Sequence, residues 1–136
     1  MIYGKLMKPV WIVDDDKSIR WVLEKTLSRE QVPFKSFASA SEALSCLDRG
    51  VESPQVLVSD IRMPGMDGLQ LFERIRQIDA EIPVILITGH GDIPTAVKAI
   101  QDGVYDFIAK PFAAERLIQC VHRAVEKRGL VLENRR

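Results

Sequence analysis

The feature that most constrains the fold is a fivefold alternation between short apolar runs and longer segments with helical periodicity. Turn-forming residues flank each apolar run, and the nearly continuous hydrophobic character of the middle runs is typical of strands covered on both faces. Parallel strands need a crossover between them, so this alternation predicts a parallel sheet with helices on both sides. The predicted strands are residues 10–13, 32–37, 56–59, 83–88 and 105–109.

The second predicted strand differs from the others. Its residues 34–37 alternate between apolar and polar, and Pro33 has no N–H to donate to a neighbouring strand. These two properties place the second strand at an edge of the sheet.

Between the strands, apolar residues recur at helical spacing. The clearest face comprises Ile19, Val22, Leu23, Thr26 and Leu27. Helix-capping residues mark several starts, including a capping box from Ser39 to Glu42. The predicted helices begin near Ser18, Ser39, Asp67, Asp92 and Ala114, and the fourth ends at Gly103.

Composition limits the partners that the chain is expected to bind. Its 136 residues include 19 Lys and Arg against 19 Asp and Glu, so the formal net charge is zero. The chain therefore lacks the positive excess with which most proteins bind nucleic-acid phosphates or acidic membrane surfaces. Its apolar runs fall far short of the roughly 20 residues that span a bilayer. We expect one cytoplasmic domain that binds neither DNA nor membrane, with Cys46 and Cys120 as buried or half-buried thiols.

The C-terminal segment is basic. From Arg123 to Arg136 there are five basic and two acidic residues, and apolar residues continue at 130–132. The fifth helix is therefore expected to run past the domain toward the rest of a longer protein. Gly129 is expected to interrupt it, at a cost of about 1 kcal/mol relative to Ala.

Reactive side chains follow four of the five predicted strands. In open α/β sheets, ligands bind beyond the carboxyl ends of the strands, near the point where the strand order reverses. These strand ends carry Asp14, Asp15 and Asp16 after the first strand, Asp60 after the third, Thr88 after the fourth, and Lys110 with Pro111 after the fifth.

This combination of side chains is suited to a phosphoryl group. Clustered carboxylates repel one another unless a cation joins them, and oxygen ligands of this kind suit Mg²⁺. A lysine and a threonine hydroxyl can bind further phosphate oxygens. Asp60, alone at the end of a central strand, is the best candidate for a nucleophile that forms an acyl phosphate. Each of these residues, taken singly, also has a purely structural interpretation, and Asp14 to Asp16 could simply cap the following helix.

Four segments resemble response-regulator receiver domains of two-component signalling, and the resemblance covers nearly the whole chain. The segments are IVDDD at 12–16, SDIRMPGMDG at 59–68, ITGHG at 87–91 and KPF at 110–112. The second segment is very specific for the family. Further similarity points to the NtrC/DctD class of sigma-54-dependent transcriptional regulators, in which a receiver precedes an AAA+ ATPase and a helix-turn-helix domain. The resemblance implies a flavodoxin-like doubly wound (βα)5 fold with strand order 2-1-3-4-5.

The resemblance also implies roles for the acidic residues. Asp60 corresponds to the phosphoacceptor, and Asp14 and Asp15 correspond to the metal-binding acidic pair. Mg²⁺ is then expected to bind Asp14, Asp15, Asp60 and the backbone carbonyl of Arg62. Asp16 matches a position that is not acidic in every relative.

The remaining residues of the motifs correspond to a conformational switch. Thr88 matches the switch hydroxyl, Phe107 the switch aromatic, and Lys110 the lysine of the site. The Lys110–Pro111 bond matches a cis peptide, which X-Pro bonds adopt at little cost. A domain of this kind is phosphorylated by a histidine kinase and catalyses only its own phosphorylation and dephosphorylation.

The resemblance further implies a division of the chain and a set of partners. Residues 1–124 are expected to form the receiver, and residues 125–136 the start of a linker helix to an output domain. The expected dimer interface comprises the fourth helix, fifth strand, fifth helix and linker helix. The output is expected to be a sigma-54 AAA+ activator, although an output domain of another kind, such as a LuxR-type DNA-binding domain, is an alternative.

Rival interpretations also remain open. The segment 14–18 fits the Asp-x-Asp-x-Ser/Thr loop of a haloacid dehalogenase-type phosphohydrolase, in which Asp14 would be the nucleophile and Asp60 would have no role. The sequence lacks the later pair of aspartates that such an enzyme uses to hold its metal. A nucleotide- or flavin-binding module would need a Gly- or Ser/Thr-rich phosphate loop where three aspartates stand. A receiver-like domain that only mediates contacts would not need the full set of site residues.

Overall fold

The structure, a computed structural model, describes residues 8–50 and 52–134 and contains five strands and five α-helices in strict alternation. The strands are β1 Val10–Val13, β2 Phe34–Phe37, β3 Val56–Asp60, β4 Val84–Thr88 and β5 Asp106–Ala109. The helices are α1 Lys17–Arg29, α2 Ala40–Asp48, α3 Gly68–Ile78, α4 Ile93–Gln101 and α5 Ala114–Asn134. One 3-10 turn, His90–Asp92, precedes α4.

The five strands form one parallel sheet in the order β2-β1-β3-β4-β5. This order confirms the expected flavodoxin-like doubly wound fold, with β2 at the predicted edge. The strand order reverses beside β1, and the register pairs Val13 with Ser59 and Thr88 with Ala109. The residues that follow β1, β3, β4 and β5 therefore meet at one edge of the sheet.

Two hydrophobic cores lie on opposite faces of the sheet. On one face, Trp11, Val13, Leu57 and Leu86 pack with apolar residues of α2, α3 and α4. On the other face, the alternate strand residues pack with α1 and α5. The strand residues of the second core are Val10, Ile12, Val56, Val58, Ile85, Ile87 and Ile108. This division follows from the alternation of side chains along a strand, and it explains why the central strands are apolar at almost every position.

Several strands begin later than predicted, and one extends further. β2 begins at Phe34 rather than at residue 32, although the Pro33 carbonyl still accepts a hydrogen bond from the Val10 N–H at 2.9 Å. β4 and β5 each begin one residue later than predicted, and β3 extends to Asp60. Ser39 and Asp67 cap α2 and α3 as predicted, but the capping box predicted from Ser39 to Glu42 is not formed, because the Glu42 carboxylate accepts from the Ser39 hydroxyl at 3.2 Å and not from its N–H. A full capping box is present instead between Asp67 and Gln70.

The fifth helix passes through Gly129 and ends at Asn134. The expected interruption at Gly129 is therefore wrong. A Cβ atom at this position would meet no other atom within 4 Å. The helix is thus continuous at Gly129, although glycine has a low helix propensity, and the position has room for a methyl side chain.

The C-terminal half of α5 is attached to the amino-end side of the sheet. Arg128 is fully buried, and its Nη2 donates to Oδ2 of Asp79, the C-cap residue that follows α3, at 3.0 Å. The Gln55 side chain, just before β3, donates to the Val125 carbonyl at 3.5 Å. These two contacts hold the C-terminal half of α5 against residues that precede β3 and β4.

Both cysteines, Cys46 and Cys120, are free and buried, as expected. Among residues 8–50 and 52–134, no helix is long and apolar enough to cross a bilayer.

Candidate functional site

Three carboxylates gather at the carboxyl end of the sheet. Asp14 and Asp15 follow β1, Asp60 ends β3, and β1 and β3 are neighbours. One oxygen from each of the three side chains lies within 4.8 Å of the others. The strand register alone thus brings together residues that are about 45 positions apart in the sequence.

Asp14 is fully buried at the centre of this cluster. Its Oδ1 accepts a hydrogen bond from the Asp16 N–H at 2.9 Å, whereas its Oδ2 has no hydrogen-bond partner among the described residues. Burial raises the pKa of the Asp14 carboxyl to about 6, and the nearby Asp60 and Asp15 charges also raise it. A buried carboxylate oxygen without a partner, flanked by two further carboxylates, fits a hard divalent cation.

Lys110 provides a positive charge beside the cluster. Its Nζ lies 3.3 Å from Oδ2 of the largely buried Asp60, and its backbone N–H donates to the Thr88 carbonyl at 2.8 Å. The Lys110–Pro111 peptide is cis, in agreement with the prediction. The lysine is therefore held by the β4 backbone with its ammonium group at the candidate nucleophile.

Thr88 and Phe107 lie on the face of the sheet that packs against α2, α3 and α4. Thr88 is fully buried, and its hydroxyl donates to the Gly89 carbonyl at 3.0 Å. Phe107 is partly buried against the core on this face, and it pairs in register with Leu86, two residues before Thr88. The two residues thus occupy adjacent strands on one face.

Asp16 has a different role from Asp14 and Asp15. Its exposed side chain accepts hydrogen bonds from the Ser18 N–H at 2.8 Å and the Ile19 N–H at 3.3 Å, and so caps α1. A hydrogen bond from the Ser18 hydroxyl, together with these two backbone hydrogen bonds, holds the Asp16 pKa below its usual value. The capping interpretation holds for Asp16, while its two neighbours join the acidic cluster.

Gly68 contributes to the site through a close backbone contact that the sequence pattern does not reveal. It begins α3, and its N–H donates to the Ile61 carbonyl at 2.9 Å. A Cβ atom on Gly68 would lie 2.3 Å from the Asp60 carbonyl oxygen. The start of α3 therefore packs directly on the Asp60 backbone, a contact between elements that periodicity along one element does not reveal.

A second unanticipated feature is an ion pair at the rim of the site. The exposed Arg62 side chain binds Asp92 with two hydrogen bonds, from Nε to Oδ2 at 2.9 Å and from Nη2 to Oδ1 at 2.6 Å. The pair joins the loop after β3 to the start of α4. The Arg62 carbonyl, expected to bind metal, belongs to the same residue.

The structure is a doubly wound α/β domain with an acidic cluster at the carboxyl edge of its sheet, and comparison with known families identifies the class of domain. The model of the response regulator receiver domain family matches residues 10–122. The chain belongs to this family.

The relatives are transcriptional regulators. Over 126 residues the chain is 56% identical to the C4-dicarboxylate transport transcriptional regulatory protein DctD of Rhizobium meliloti (strain 1021), covering 93% of this chain and 27% of that protein. It is 46% identical over 116 residues to the DNA-binding transcriptional regulator NtrC of Escherichia coli (strain K12), covering 85% of this chain and 24% of the relative. The chain is thus similar to regulators of the NtrC/DctD class, and spans about a quarter of their length.

Solved receiver domains share the fold over almost their full length. The receiver domain of NtrX from Brucella abortus is 40% identical with a TM-score of 0.81, covering 86% of this chain and 98% of that one. A response regulator receiver domain protein from Clostridium thermocellum has a TM-score of 0.86 at 25% identity, covering 92% of this chain and 99% of that one.

Proposed function

We propose that this chain is a phosphorylation-controlled receiver whose phosphoacceptor is Asp60. The observation that carries the proposal is the site geometry: Asp60 lies in a cluster of three carboxylates and is paired with Lys110 at 3.3 Å. Membership of the receiver family and similarity to two-component regulators support it.

The transfer that we propose is a displacement at phosphorus. An Asp60 carboxylate oxygen attacks the phosphorus of a phosphohistidine on a sensor histidine kinase, an O–P bond forms, and the P–N bond breaks with its electron pair going to the imidazole nitrogen. Lys110 binds an oxygen of the incoming phosphoryl group. Asp14, Asp15, Asp60 and the Arg62 carbonyl would hold Mg²⁺, which when bound neutralises charge on the carboxylates and the phosphoryl oxygens.

The proposed response to phosphorylation uses Thr88 and Phe107. The Thr88 hydroxyl exchanges its hydrogen bond to the Gly89 carbonyl for one to a phosphoryl oxygen, and Phe107 rotates further into the space beside it. The arrangements of Thr88 and Phe107 before and after this change are in equilibrium. Phosphorylation shifts that equilibrium only by the difference in free energy with which the two arrangements bind the phosphoryl group. Because the two residues are in β4 and β5, their movement alters the adjoining surface of α4, β5 and α5.

This surface is the proposed homodimer interface, together with the linker helix. Two of the exposed large apolar side chains, Val97 and Ile100, lie on α4. We propose that residues 1–124 form the receiver and that residues 125–136 begin a linker to an AAA+ activator of sigma-54 polymerase with a DNA-binding domain. The similarity to DctD and NtrC supports this arrangement.

Intact-mass measurement after incubation with acetyl phosphate and Mg²⁺ tests the first step. The chain should gain one phosphoryl group, and Asp60→Asn should gain none. Omission of Mg²⁺ or substitution Lys110→Met should reduce the gain strongly. An undiminished gain in Asp60→Asn would disprove the proposed acceptor.

Mapping the modified aspartate separates this function from phosphohydrolase chemistry, in which Asp14 would be the nucleophile. Asp14 is fully buried and Lys110 is paired with Asp60, so the geometry favours Asp60. Modification of Asp14 would favour the phosphohydrolase instead.

A further inference from the structure

The Arg62–Asp92 ion pair connects the loop that follows the proposed phosphoacceptor Asp60 at the end of β3 with the loop that follows the neighbouring strand β4. Arg62 is two residues beyond Asp60, and Asp92 ends the 3-10 turn between β4 and α4. Both carboxylate oxygens of Asp92 are engaged, at 2.9 Å and 2.6 Å. Two parallel hydrogen bonds between planar groups fix orientation as well as distance, so the pair restrains each loop relative to the other. The pairing raises the Arg62 pKa and lowers the Asp92 pKa.

Asp92 also occupies the N-cap position of α4, yet its side chain makes no capping hydrogen bond. Aspartate at this position ordinarily accepts from the backbone N–H at the second or third helical position. The second position of α4 is Pro94, which has no N–H, so the available donor is the Thr95 N–H. The caps Asp16, Ser39 and Asp67 of α1, α2 and α3 do accept such a bond, and all three have an extended backbone. Asp92 instead has φ -105° and ψ 6°, because it also ends the 3-10 turn, so capping of α4 requires its backbone to become extended as well as release of its carboxylate.

The Asp92 carboxylate therefore has two alternative sets of partners, the Arg62 guanidinium and the Thr95 N–H. We propose that the Arg62 side chain is a positioning residue that keeps Asp92 from capping α4 until Asp60 is phosphorylated, after which Asp92 caps α4 through the Thr95 N–H. This inference rests on the proposed phosphorylation of Asp60 and deepens it, because it assigns a restraint that controls the switch.

Phosphorylation acts on both ends of this restraint. At one end, Arg62 lies two residues beyond Asp60 and its carbonyl would hold Mg²⁺, so a shift of this loop on phosphorylation would move the backbone that carries the guanidinium. At the other end, Thr88 leads into the segment that carries Asp92, and its hydroxyl turns toward the phosphoryl group. A bidentate pair tolerates little displacement, so either movement weakens it and frees Asp92 for the cap.

Variants at Asp92 separate the two roles of its side chain. Asp92→Asn removes the charged pair but keeps a side chain that caps as well as aspartate. The affinity for beryllofluoride, a phosphoryl mimic, should therefore rise about two- to fivefold, the effect expected of a surface ion pair. Asp92→Ala removes the cap as well as the pair, so its affinity should stay within about twofold of the wild type.

Variants at Arg62 test the same exchange from the other side. Arg62→Gln should raise the affinity as Asp92→Asn does, and the double variant should gain no more than either single variant. The matched control is Arg74→Gln, an exposed arginine of α3 for which the described residues provide no ion pair, and it should leave the affinity unchanged.

The experiment is a beryllofluoride titration of the wild-type chain and these variants in the presence of Mg²⁺, with the Thr95 amide resonance as a second readout. In the wild type, this resonance should shift on binding, and in Asp92→Asn it should lie part of the way toward the bound position before any ligand is added. Equal affinities for Asp92→Asn and Asp92→Ala, or a Thr95 resonance that stays fixed while the wild type binds, would overturn the inference alone. A wild-type chain that neither binds beryllofluoride nor gains a phosphoryl group from acetyl phosphate would overturn the proposed function and the inference with it.

Discussion

At the scale of single residues, the three consecutive aspartates show how local geometry divides similar side chains between tasks. Asp14 and Asp15 project toward Asp60, whereas Asp16 caps α1 and its N–H holds Asp14 Oδ1. The sequence shows that acids follow the first strand, and strand ends are known to form sites. It does not show which of the three caps the helix, because that depends on where the chain turns out of the sheet.

The buried Asp14 carboxylate should destabilise the metal-free chain. Burial raises its pKa from 3.8 to about 6, so the unfolding free energy attributable to this group falls as pH rises through that interval. We expect Asp14→Asn to stabilise the metal-free chain by about 1–3 kcal/mol at pH 8 and by about half as much at pH 5. Urea unfolding at both pH values measures this.

Asp48→Asn, at an exposed position on α2, is the control and should change stability little at either pH. Added Mg²⁺ should raise the melting temperature of the wild type more than that of Asp14→Asn, because only the wild type has the full set of proposed ligands. If Asp14→Asn stabilises the chain equally at both pH values, the raised pKa of the Asp14 carboxyl is not the cause of the stabilisation.

Gly68 should be intolerant of even one methyl group. The added Cβ would lie 2.3 Å from the Asp60 carbonyl oxygen, so either the start of α3 or the Asp60 backbone must move. Gly68→Ala should cost about 1–3 kcal/mol of stability and slow phosphorylation from acetyl phosphate. Gly89→Ala is the matched control, since a Cβ there meets nothing within 4 Å, and it should cost little stability. Equal stability losses would refute the proposed backbone contact.

At the scale of elements, the sequence predicts the five strands and five helices because buried parallel strands and amphipathic helices have distinct periods. The sequence predicts the ends of the elements less accurately, because tertiary contacts determine where each element begins and ends. Val32 is buried like a strand residue but lies before β2, and His90 to Asp92 form a 3-10 turn ahead of α4. The Arg62–Asp92 and Arg128–Asp79 pairs each join separate elements, and neither was predicted, since spacing along one segment carries no information about them.

The continuity of α5 at Gly129 leads to a prediction about this helix. Glycine is less favourable than alanine in a helix interior by about 1 kcal/mol, and the position has space for a methyl group. Gly129→Ala should therefore increase helical circular dichroism and slow amide exchange over residues 126–134. Gly50→Ala, at a backbone φ of +69°, is the opposite control and should destabilise the chain. Unchanged exchange in Gly129→Ala would show that contacts, and not propensity, hold this part of α5.

The Arg128–Asp79 pair should anchor the C-terminal half of α5 to the domain. Asp79→Asn leaves a buried guanidinium facing a neutral side chain, so we expect a loss of about 1–3 kcal/mol and faster exchange after Val125. Arg128→Met removes the buried charge while keeping apolar volume, and should cost less. Urea unfolding and hydrogen exchange of both variants measure the difference. A smaller loss in Asp79→Asn than in Arg128→Met would contradict the anchoring role of the charge pair.

At the scale of the whole molecule, a zero net charge conceals a strong separation of charge. The acidic cluster lies at the carboxyl edge of the sheet, whereas the basic segment begins in the second half of α5, beside the opposite edge. Among the described residues, the exposed large apolar side chains are Trp21 and Val22 on α1, Ile78 at the end of α3, and Val97 and Ile100 on α4. The exposed apolar pairs of α1 and α4 thus lie on separate surfaces, and of these two the proposed dimer, which also uses β5, α5 and the linker helix, includes only the surface of α4.

Two valines of nearly equal exposure provide a matched test of this assignment. Val97 on α4 is 44% exposed and Val22 on α1 is 42% exposed. In a two-fold symmetric interface, Val97→Lys introduces a charge on both copies near the contact, so dimer affinity should fall at least about tenfold. Val22→Lys adds the same charge on the other surface and should leave the affinity unchanged.

Sedimentation with and without Mg²⁺ and beryllofluoride, over a range of concentrations, measures the dimer affinity of each variant. Intact-mass analysis with acetyl phosphate confirms that both variants still accept a phosphoryl group, so a lost dimer cannot reflect a damaged site. We expect beryllofluoride to strengthen the wild-type and Val22→Lys dimers alike, and Val97→Lys to remain monomeric at concentrations where they associate. Dissociation caused by Val22→Lys instead would place the contact on α1. In that case the proposed switch at Thr88 and Phe107 would have to act on α1, which packs against β1 and β2, whereas β4 and β5 pack against α4.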